Sequence, residues 1–546
     1  MSETPRPTTA AELVLTRRAD PAIGLVFEGS SWTWAEIVDE CAARAAFLSS
    51  LRAPGPFHVG VLLENVPEYL FLLGGAALAG AVVVGINPTR RGEELARDIR
   101  HTDCQLVVTD TAQLPMLDGL DLGIGPDRVL VVDTPAYAPR AAGAELPAAL
   151  PAVDDLFLLI FTSGSTGTPK AVRMSHGRAA TGGTRVPFAP DDVLYSAMPL
   201  FHGNALNAAV FPAFASGARL VLRRRFSASG FLADVREHGC TFFNTVGRAI
   251  AHINATPPTD GDRDHSLKWV LGPETSDPDK RAFTARFGPP IFEGYGSSEN
   301  AIILNPRPDA GPGALGTAPR GVDVAVIDPV TRDECAVAVL DDGGRLLNAA
   351  EAIGELVGRN VAGRFEGYYA NPEAEAERVH DGWYWSGDLA YRTEEGVFFF
   401  AGRAGDWLRV DSENFAAAPV ERILGRFPGA AGAAVYPVPD AVTADQVMVA
   451  VELPPGGTFD PAAFAAFVDA QADLGPKWVP RYVRVVDALP VTATDKVDKR
   501  PLRAARWRTD DPVWHRPPRT ADYVPFTAAD REALEAELAA NGRGHL

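Results

Sequence analysis

Residues Phe157–Val172 read FLLIFTSGSTGTPKAV. The unbroken apolar run from Phe157 to Phe161 marks a strand buried on both faces. It empties into a loop of Gly, Ser and Thr that closes on Pro169-Lys170. Glycines let backbone N–H groups turn toward an anion, hydroxyls add donors, and a lysine supplies the compact positive charge that phosphate binding needs. The segment is not a P-loop. Counted from Gly164, the residue before Lys170 is Pro169 rather than Gly, and the one after is Ala171 rather than Ser or Thr.

Further strand-like runs flank this segment on both sides. VLVV (129–132), ARLVL (218–222) and FFFAG (398–402) alternate with helical stretches such as Glu93 to Arg100 and Phe231 to His238. That alternation predicts an α/β fold of stacked, largely buried sheets with flanking helices. The stretch Leu70 to Ile86, LFLLGGAALAGAVVVGI, is uncharged but only mildly hydrophobic, and Gly80 divides it into a Leu/Ala half and a Val half. A buried helix followed by a buried strand is expected there, not a membrane span. After Arg403 the texture changes. GDWLRVDSENFAAAPVERIL predicts a turn and then an amphipathic helix, and the strands VMVAVEL and RYVRVVD surround a helix over Pro461 to Ala472. The expected organisation is a large N-terminal domain over 1–405, a small mobile α+β C-terminal domain over 406–512, and a C-terminal tail over 513–546. In the tail, Thr527 with Asp530 signals a helix start and Asn541-Gly542 a stop.

Composition narrows the function classes. The 546 residues are 46% hydrophobic and 22% charged, close to ordinary globular values. Lys plus Arg is 51 against 70 Asp plus Glu, a net charge of −19 that repels phosphate backbones, so nucleic acid is not an expected partner. Cys41, Cys104, Cys240 and Cys335 lie far apart with no metal-ligand spacing, and the N-terminus lacks the apolar core of a secretory signal. A reduced, cytoplasmic setting is expected.

TSGSTGTPK behind a strand resembles the phosphate-binding signature of the adenylate-forming superfamily, which includes acyl-CoA synthetases, firefly luciferase and the adenylation domains of peptide synthetases. Further matches follow in that family's order: MPLFHGNA (198–205), EGYGSSE (293–299), GELVGR (354–359), YWSGDLAY (384–391), GRAGDWLRVDSEN (402–414) and PVTATDKVDK (490–499). They span nearly the whole chain. The wording GYYANPEAEAERV and GRAGDWLRV is most similar to bacterial fatty-acyl-CoA synthetases of the fatty-acid-transport-protein-like branch.

The resemblance implies ATP-dependent activation of a carboxylic acid to an acyl adenylate with release of pyrophosphate, then transfer to CoA, giving acyl-CoA and AMP. ATP, Mg²⁺ and CoA are the implied cofactors. By position, Thr162, Ser163, Gly164, Ser165, Thr166, Gly167 and Lys170 match the phosphate-holding loop, and Glu299 the acid that helps place Mg²⁺, a hard cation suited to a carboxylate. Ser298 stands where the family usually has Thr. Gly272, Pro273, Glu274 and Thr275, with Glu293, Gly294, Tyr295, Gly296 and Ser297, match the segments around the adenine, although GPETS departs from the commoner small-residue wording. Asp388 matches the acceptor of both ribose hydroxyls, and Arg403 the base that contacts ribose and phosphate. Lys496 matches the catalytic lysine of the small domain, while Lys499 is expected on a solvated face. Asp406 falls at the family's hinge. Ser412 and Glu413 match the CoA tunnel, with Ser412 standing where a Gly is common.

His202 and the run Phe242 to Gly247, with Phe243, Asn244, Val246 and Gly247 its principal members, match the region that lines the acyl pocket. Apolar lining with few charges argues for a hydrophobic carboxylic acid rather than an amino acid, which would want an acidic partner for its ammonium. Two alternatives stand beside this reading. One is adenylation alone, with the acyl adenylate passed to another enzyme or carrier. The other is a non-catalytic acyl- or CoA-binding protein, or a membrane-peripheral fatty-acid uptake protein, for which LRRRF (222–226) is the short basic candidate. Membrane contact is expected to be peripheral at most, and the oligomeric state is open, a homodimer included.

Overall fold

A computed structural model describes the chain except residues 1–5, 138–144, 163–169, 274, 276, 312, 342–345, 404–406, 411–412, 442–444, 472–473, 493–495, 519 and 542–546. The fold is mixed α/β, and the chain divides into two units, Met1–Ile303 with Gly363–Glu377, and Leu304–Ala362 with Arg378–Leu546.

Among the described residues, two mostly parallel sheets build the first unit. One runs, in spatial order, Val129–Val131, Cys104–Thr109, His58–Leu62, Val82–Gly85, Leu156–Thr162 and Lys170–Ser175, parallel until the antiparallel last pair. The other runs Ile291–Phe292, Trp269–Leu271, Phe242–Asn244, Val193–Ser196, Arg219–Leu222, Ile23–Phe27 and Ser30–Thr33, again antiparallel only at its last pair. Side chains alternate between two cores, as a two-faced strand requires. Val83, Leu158 and Ile160 join the large core around Trp34, Phe157 and Phe211, whereas Val82, Val84 and Leu159 join that of Leu95, Ile99 and Val107.

The Leu70–Ile86 stretch divides as its sequence implies. The helix Pro67–Ala79 starts with Pro at its first turn and ends on Gly80 at φ 66°, left-handed backbone that glycine adopts without strain; the strand Val82–Gly85 follows. No helix among the described residues is long and apolar enough to cross a membrane. The helix Trp34–Ser50 packs against Pro67–Ala79 at Gly74 and Gly75, where a Cβ would come within 2.2 Å of Cys41 Sγ and 2.6 Å of Arg44 Cβ.

In the second unit an antiparallel sheet is ordered Ala314–Thr317, Val397–Arg403, Trp383–Arg392, Gly354–Gly358 and Val324–Ile327. Another contains Gly432–Pro439, Asp445–Glu452, Tyr482–Val486, Val513–His515 and Val524–Pro525. Two local expectations need correcting, and a third segment holds strands the sequence did not announce. The segment after Arg403 is not merely a turn before a helix: Trp407–Val410 and Glu413–Ala416 form a hairpin ahead of the helix Ala417–Leu424, burying Leu408, Val410 and Phe415. The helix from Pro461 ends at Asp469, with Ala470 as its cap. The Pro- and Arg-rich start of the C-terminal stretch holds two short strands, 513–515 and 524–525, that extend the sheet. The closing helix Ala528–Ala540 begins with the expected reciprocal Thr527/Asp530 cap.

Candidate active site

Thr162 ends one strand and Lys170 opens the next, and they face each other across the antiparallel pair. Ser163, Gly164, Ser165, Thr166 and Gly167, expected between them, lie outside the described residues. Lys170 is buried, with Nζ 2.7 Å from Glu377 Oε2 and 5.4 Å from the ring centroid of Tyr368. Tyr368 is itself buried, and its hydroxyl donates to Glu299 Oε1 at 2.8 Å. Backbone pairing fixes this arrangement: Tyr369 N–H donates to Ala171 O at 2.8 Å and Arg173 N–H to Gly367 O at 3.1 Å. Glu366 accepts from both Ser175 N (2.6 Å) and Ser175 Oγ (2.7 Å), and Arg178 Nη1 donates to the Glu299 carbonyl at 3.0 Å. Lys170 and Glu299, expected from sequence, are therefore brought together through Tyr368. Tyr368 and Glu377 were passed over: GYYANPEAEAERV reads only as wording similar to fatty-acyl-CoA synthetases, and nothing in its spacing points to Lys170 or Glu299.

The remaining first-unit candidates collect at the carboxyl ends of parallel strands, the edge where open α/β sheets take their ligands. Phe242–Asn244 leads into Val246 and Gly247, Trp269–Leu271 into Gly272, Pro273 and Thr275, and Ile291–Phe292 into Glu293 through Ser298. These turns are laced together. Gly247 N–H donates to Pro273 O at 2.9 Å, Gly272 N–H to Phe292 O at 3.0 Å, and Thr275 N–H to Glu293 Oε1 at 3.0 Å. Lys280 Nζ lies 3.1 Å from Glu293 Oε2. Gly296 pairs with Ile303 across a single bridge, leaving Gly294 and Gly296 exposed and Tyr295, Ser297 and Ser298 half-buried. Glu274 lies outside the described residues. His202 follows the strand Val193–Ser196 and caps a short helix, its Nδ1 accepting from Asn204 N at 3.3 Å.

The strand Phe242–Asn244 sorts its own side chains. The Phe243 ring is fully buried in aromatic core, 4.7 Å from Phe231 and 5.3 Å from Tyr195. Asn244 is also fully buried, and neither its Oδ1 nor its Nδ2 has a hydrogen-bond partner among the described residues.

In the second unit, Asp388 and Arg403 are register partners on adjacent strands. Asp388 is buried, and the Gly387 N–H beside it donates to Glu355 Oε1 at 2.7 Å. Burial pushes the Glu355 carboxyl up, against the opposing effect of that N–H. Lys496 stands half-buried on a short ladder: Thr492 N–H donates to Lys496 O at 2.7 Å, and Val491 bridges Val497. Lys499 is not on a solvated face. Its Nζ pairs with Glu421 Oε1 at 2.7 Å, with the lysine side chain 14% exposed. Asp406 and Ser412 lie outside the described residues, and Glu413 is described by its backbone alone, opposite Val410. Each arginine of LRRRF meets a carboxylate: Arg223 with Asp234, Arg224 with Glu28, and Arg225 with Glu64.

Parallel sheets with glycine- and hydroxyl-rich turns at their carboxyl edges, plus a buried lysine that a tyrosine links to a buried carboxylate, fit a nucleotide-binding enzyme. The chain belongs to the AMP-binding enzyme family: that family's model matches residues 14–369, and its C-terminal-domain model matches residues 419–496. A steroid-22-oyl-CoA synthetase of Rhodococcus jostii is 53% identical over 545 residues, covering 98% of each protein. A medium/long-chain-fatty-acid–CoA ligase of Mycobacterium marinum is 44% identical over 501 residues, 90% of this chain and 95% of that one. The crystal structure of ATP-bound MatB from Rhodopseudomonas palustris superposes with a TM-score of 0.77 at 25% identity, covering 91% of this chain and 98% of that one.

Proposed function

We propose that this protein is an AMP-forming acyl-CoA synthetase whose acid is large and hydrophobic, with steroid side-chain acids and medium- to long-chain fatty acids the first candidates. The observation that carries the reading is the 53% identity, over 98% of both chains, to a steroid-22-oyl-CoA synthetase. In the first step a carboxylate oxygen bonds to the α-phosphorus of ATP as the bond to the bridging oxygen breaks, and pyrophosphate leaves. In the second the CoA thiolate attacks the acyl carbon, and AMP leaves.

The roles proposed for individual residues are those their motif positions imply, and each suits the residue's chemistry. Lys170 and Thr162, with Ser163, Ser165 and Thr166, neutralise and orient the β- and γ-phosphates. Glu299 is a buried carboxylate linked to Lys170 through Tyr368, which fits a Mg²⁺ ion that keeps phosphate and water oxygens and takes one or two protein carboxylates. When bound, Mg²⁺ supplies charge compensation for the triphosphate. Asp388 accepts from the ribose hydroxyls, beside Arg403. Lys496 stabilises the negative charge that builds between the carboxylate and the α-phosphate. The functional division proposed runs 1–405, 406–512 and 513–546, with Asp406 as hinge and Ser412 and Glu413 facing pantetheine. The Asn244 amide, without a partner among the described residues, would otherwise cost about 1–3 kcal/mol, which supports its facing a ligand. A cytoplasmic setting is supported by four free thiols, and paired arginines in LRRRF argue against docking on anionic lipid.

The test is acid-dependent ATP–pyrophosphate exchange over steroid, fatty and aromatic acids, with CoA-dependent AMP release followed in parallel. Exchange with thioester formation is expected. Exchange without it would shift the reading to adenylation alone, and no exchange with any acid would overturn it.

A further inference from the structure

The two charges assigned to the triphosphate do not touch each other in this structure; one aromatic side chain separates them. Tyr368 lies under the Lys170 ammonium, 5.4 Å from Nζ to ring centroid, and its hydroxyl donates to Glu299 Oε1 at 2.8 Å. It is 1% exposed and cannot swing away readily: its own N–H donates to Glu375 Oε1 at 2.8 Å, it bridges Val172, and its neighbours Gly367 and Tyr369 bond to Arg173 and Ala171 of the strand that carries Lys170. An aromatic face attracts an ammonium, and a phenol donating to a carboxylate fixes its rotamer.

We propose that Tyr368 is a positioning residue for nucleotide activation, using its ring to seat Lys170 and its hydroxyl to aim Glu299. Its two halves have separable effects. The ring acts on phosphate affinity through Lys170. The hydroxyl acts on turnover through Glu299, because a carboxylate misplaced by even 1 Å can cost about a hundredfold in rate. The inference rests on the nucleotide-side reading of Lys170 and Glu299.

The experiment combines pyrophosphate exchange for Tyr368→Phe, Glu299→Gln and their double variant with calorimetric binding of ATP in the presence of EDTA to Tyr368→Phe and Tyr368→Leu. Thermal unfolding of each confirms that it is folded; Tyr368→Phe keeps the ring and its packing. Tyr368→Phe is expected to lower kcat about tenfold while leaving the KM for ATP and metal-free ATP binding within about twofold of the wild type. Tyr368→Leu is expected to weaken metal-free ATP binding about threefold or more. With Gln at 299, the added Tyr368→Phe change is expected to shift kcat less than about twofold, since groups acting as one unit are non-additive. Wild-type turnover in Tyr368→Phe, or a full tenfold further loss in the double variant, overturns the hydroxyl's role; wild-type ATP binding in Tyr368→Leu overturns the ring's. Wild-type exchange in Glu299→Gln alone overturns the reading of Glu299 itself, a distinguishable failure.

Discussion

Replacing Glu377 by Gln should make the unliganded protein slightly less stable and its grip on ATP tighter. Lys170 Nζ sits 2.7 Å from Glu377 Oε2, the lysine side chain 6% exposed and the glutamate 55% exposed. A pair with one wet partner is worth about 1 kcal/mol, the upper end of the surface range. If Lys170 must turn from this carboxylate toward a phosphate, the same 1 kcal/mol is subtracted from nucleotide affinity. Removing the charge should therefore strengthen ATP binding about fivefold, since 1.4 kcal/mol is a factor of ten. The unliganded protein should lose about the same amount, roughly 1–2 °C in Tm for a unit of this size. Calorimetric ATP binding, the KM for ATP in pyrophosphate exchange and thermal unfolding read the two sides, and the gap between variant and wild type should narrow with added salt. A Tm loss with unchanged or weaker ATP binding would refute the argument, because the pair would then be purely structural.

Lys496→Ala should lower pyrophosphate exchange by about a hundredfold or more with Tm unchanged, the scale of losing one group that stabilises transition-state charge; unaltered exchange would remove Lys496 from the chemistry. His176 is fully buried, its ring 4.8 Å from Phe157, and burial holds its pKa down to about 4. Because the unfolded chain protonates this group near 6.5 and the folded chain near 4, the unfolded state binds more protons between those values; His176's contribution is whole above about pH 6.5 and is lost as pH falls toward 4. Denaturant titrations of His176→Leu across that window should show a shallower acid slope than the wild type. Gly316 has φ +116°, and a Cβ there would come within 2.0 Å of the Asn305 carbonyl oxygen. Gly316→Ala should destabilise the protein by about 3 kcal/mol or more, read as a lowered denaturant midpoint.

What the sequence disclosed was local. Gly80 announced the end of a helix because left-handed backbone favours glycine. The helix Phe231–His238 has the bounds its pattern suggested, closed by Gly239. Asp388 and Arg403 were named separately from two motifs and proved to be register partners. What stayed hidden depended on chain topology. Tyr368 reaches Glu299 across 69 residues and Lys170 reaches Glu377 across 207, and no spacing rule connects such distant positions. The hairpin at Trp407–Ala416 was obscured because charged residues interrupt its buried Leu408, Val410 and Phe415. Lys499 was misjudged from its charged neighbour, although Glu421 supplies a partner.

The excursion of the chain has a practical consequence for protein engineering. The first unit is left at Ile303, rejoined for Gly363–Glu377 and left again. That short return carries Glu366, Tyr368 and Glu377, so the surroundings of Lys170 are finished only when residue 377 has been made. A fragment cut at 303 would expose the Ala171 and Arg173 edge that residues 367–369 normally cover. Any chimera that exchanges the first unit of this enzyme must carry 363–377 with it, making the exchangeable module a discontinuous one.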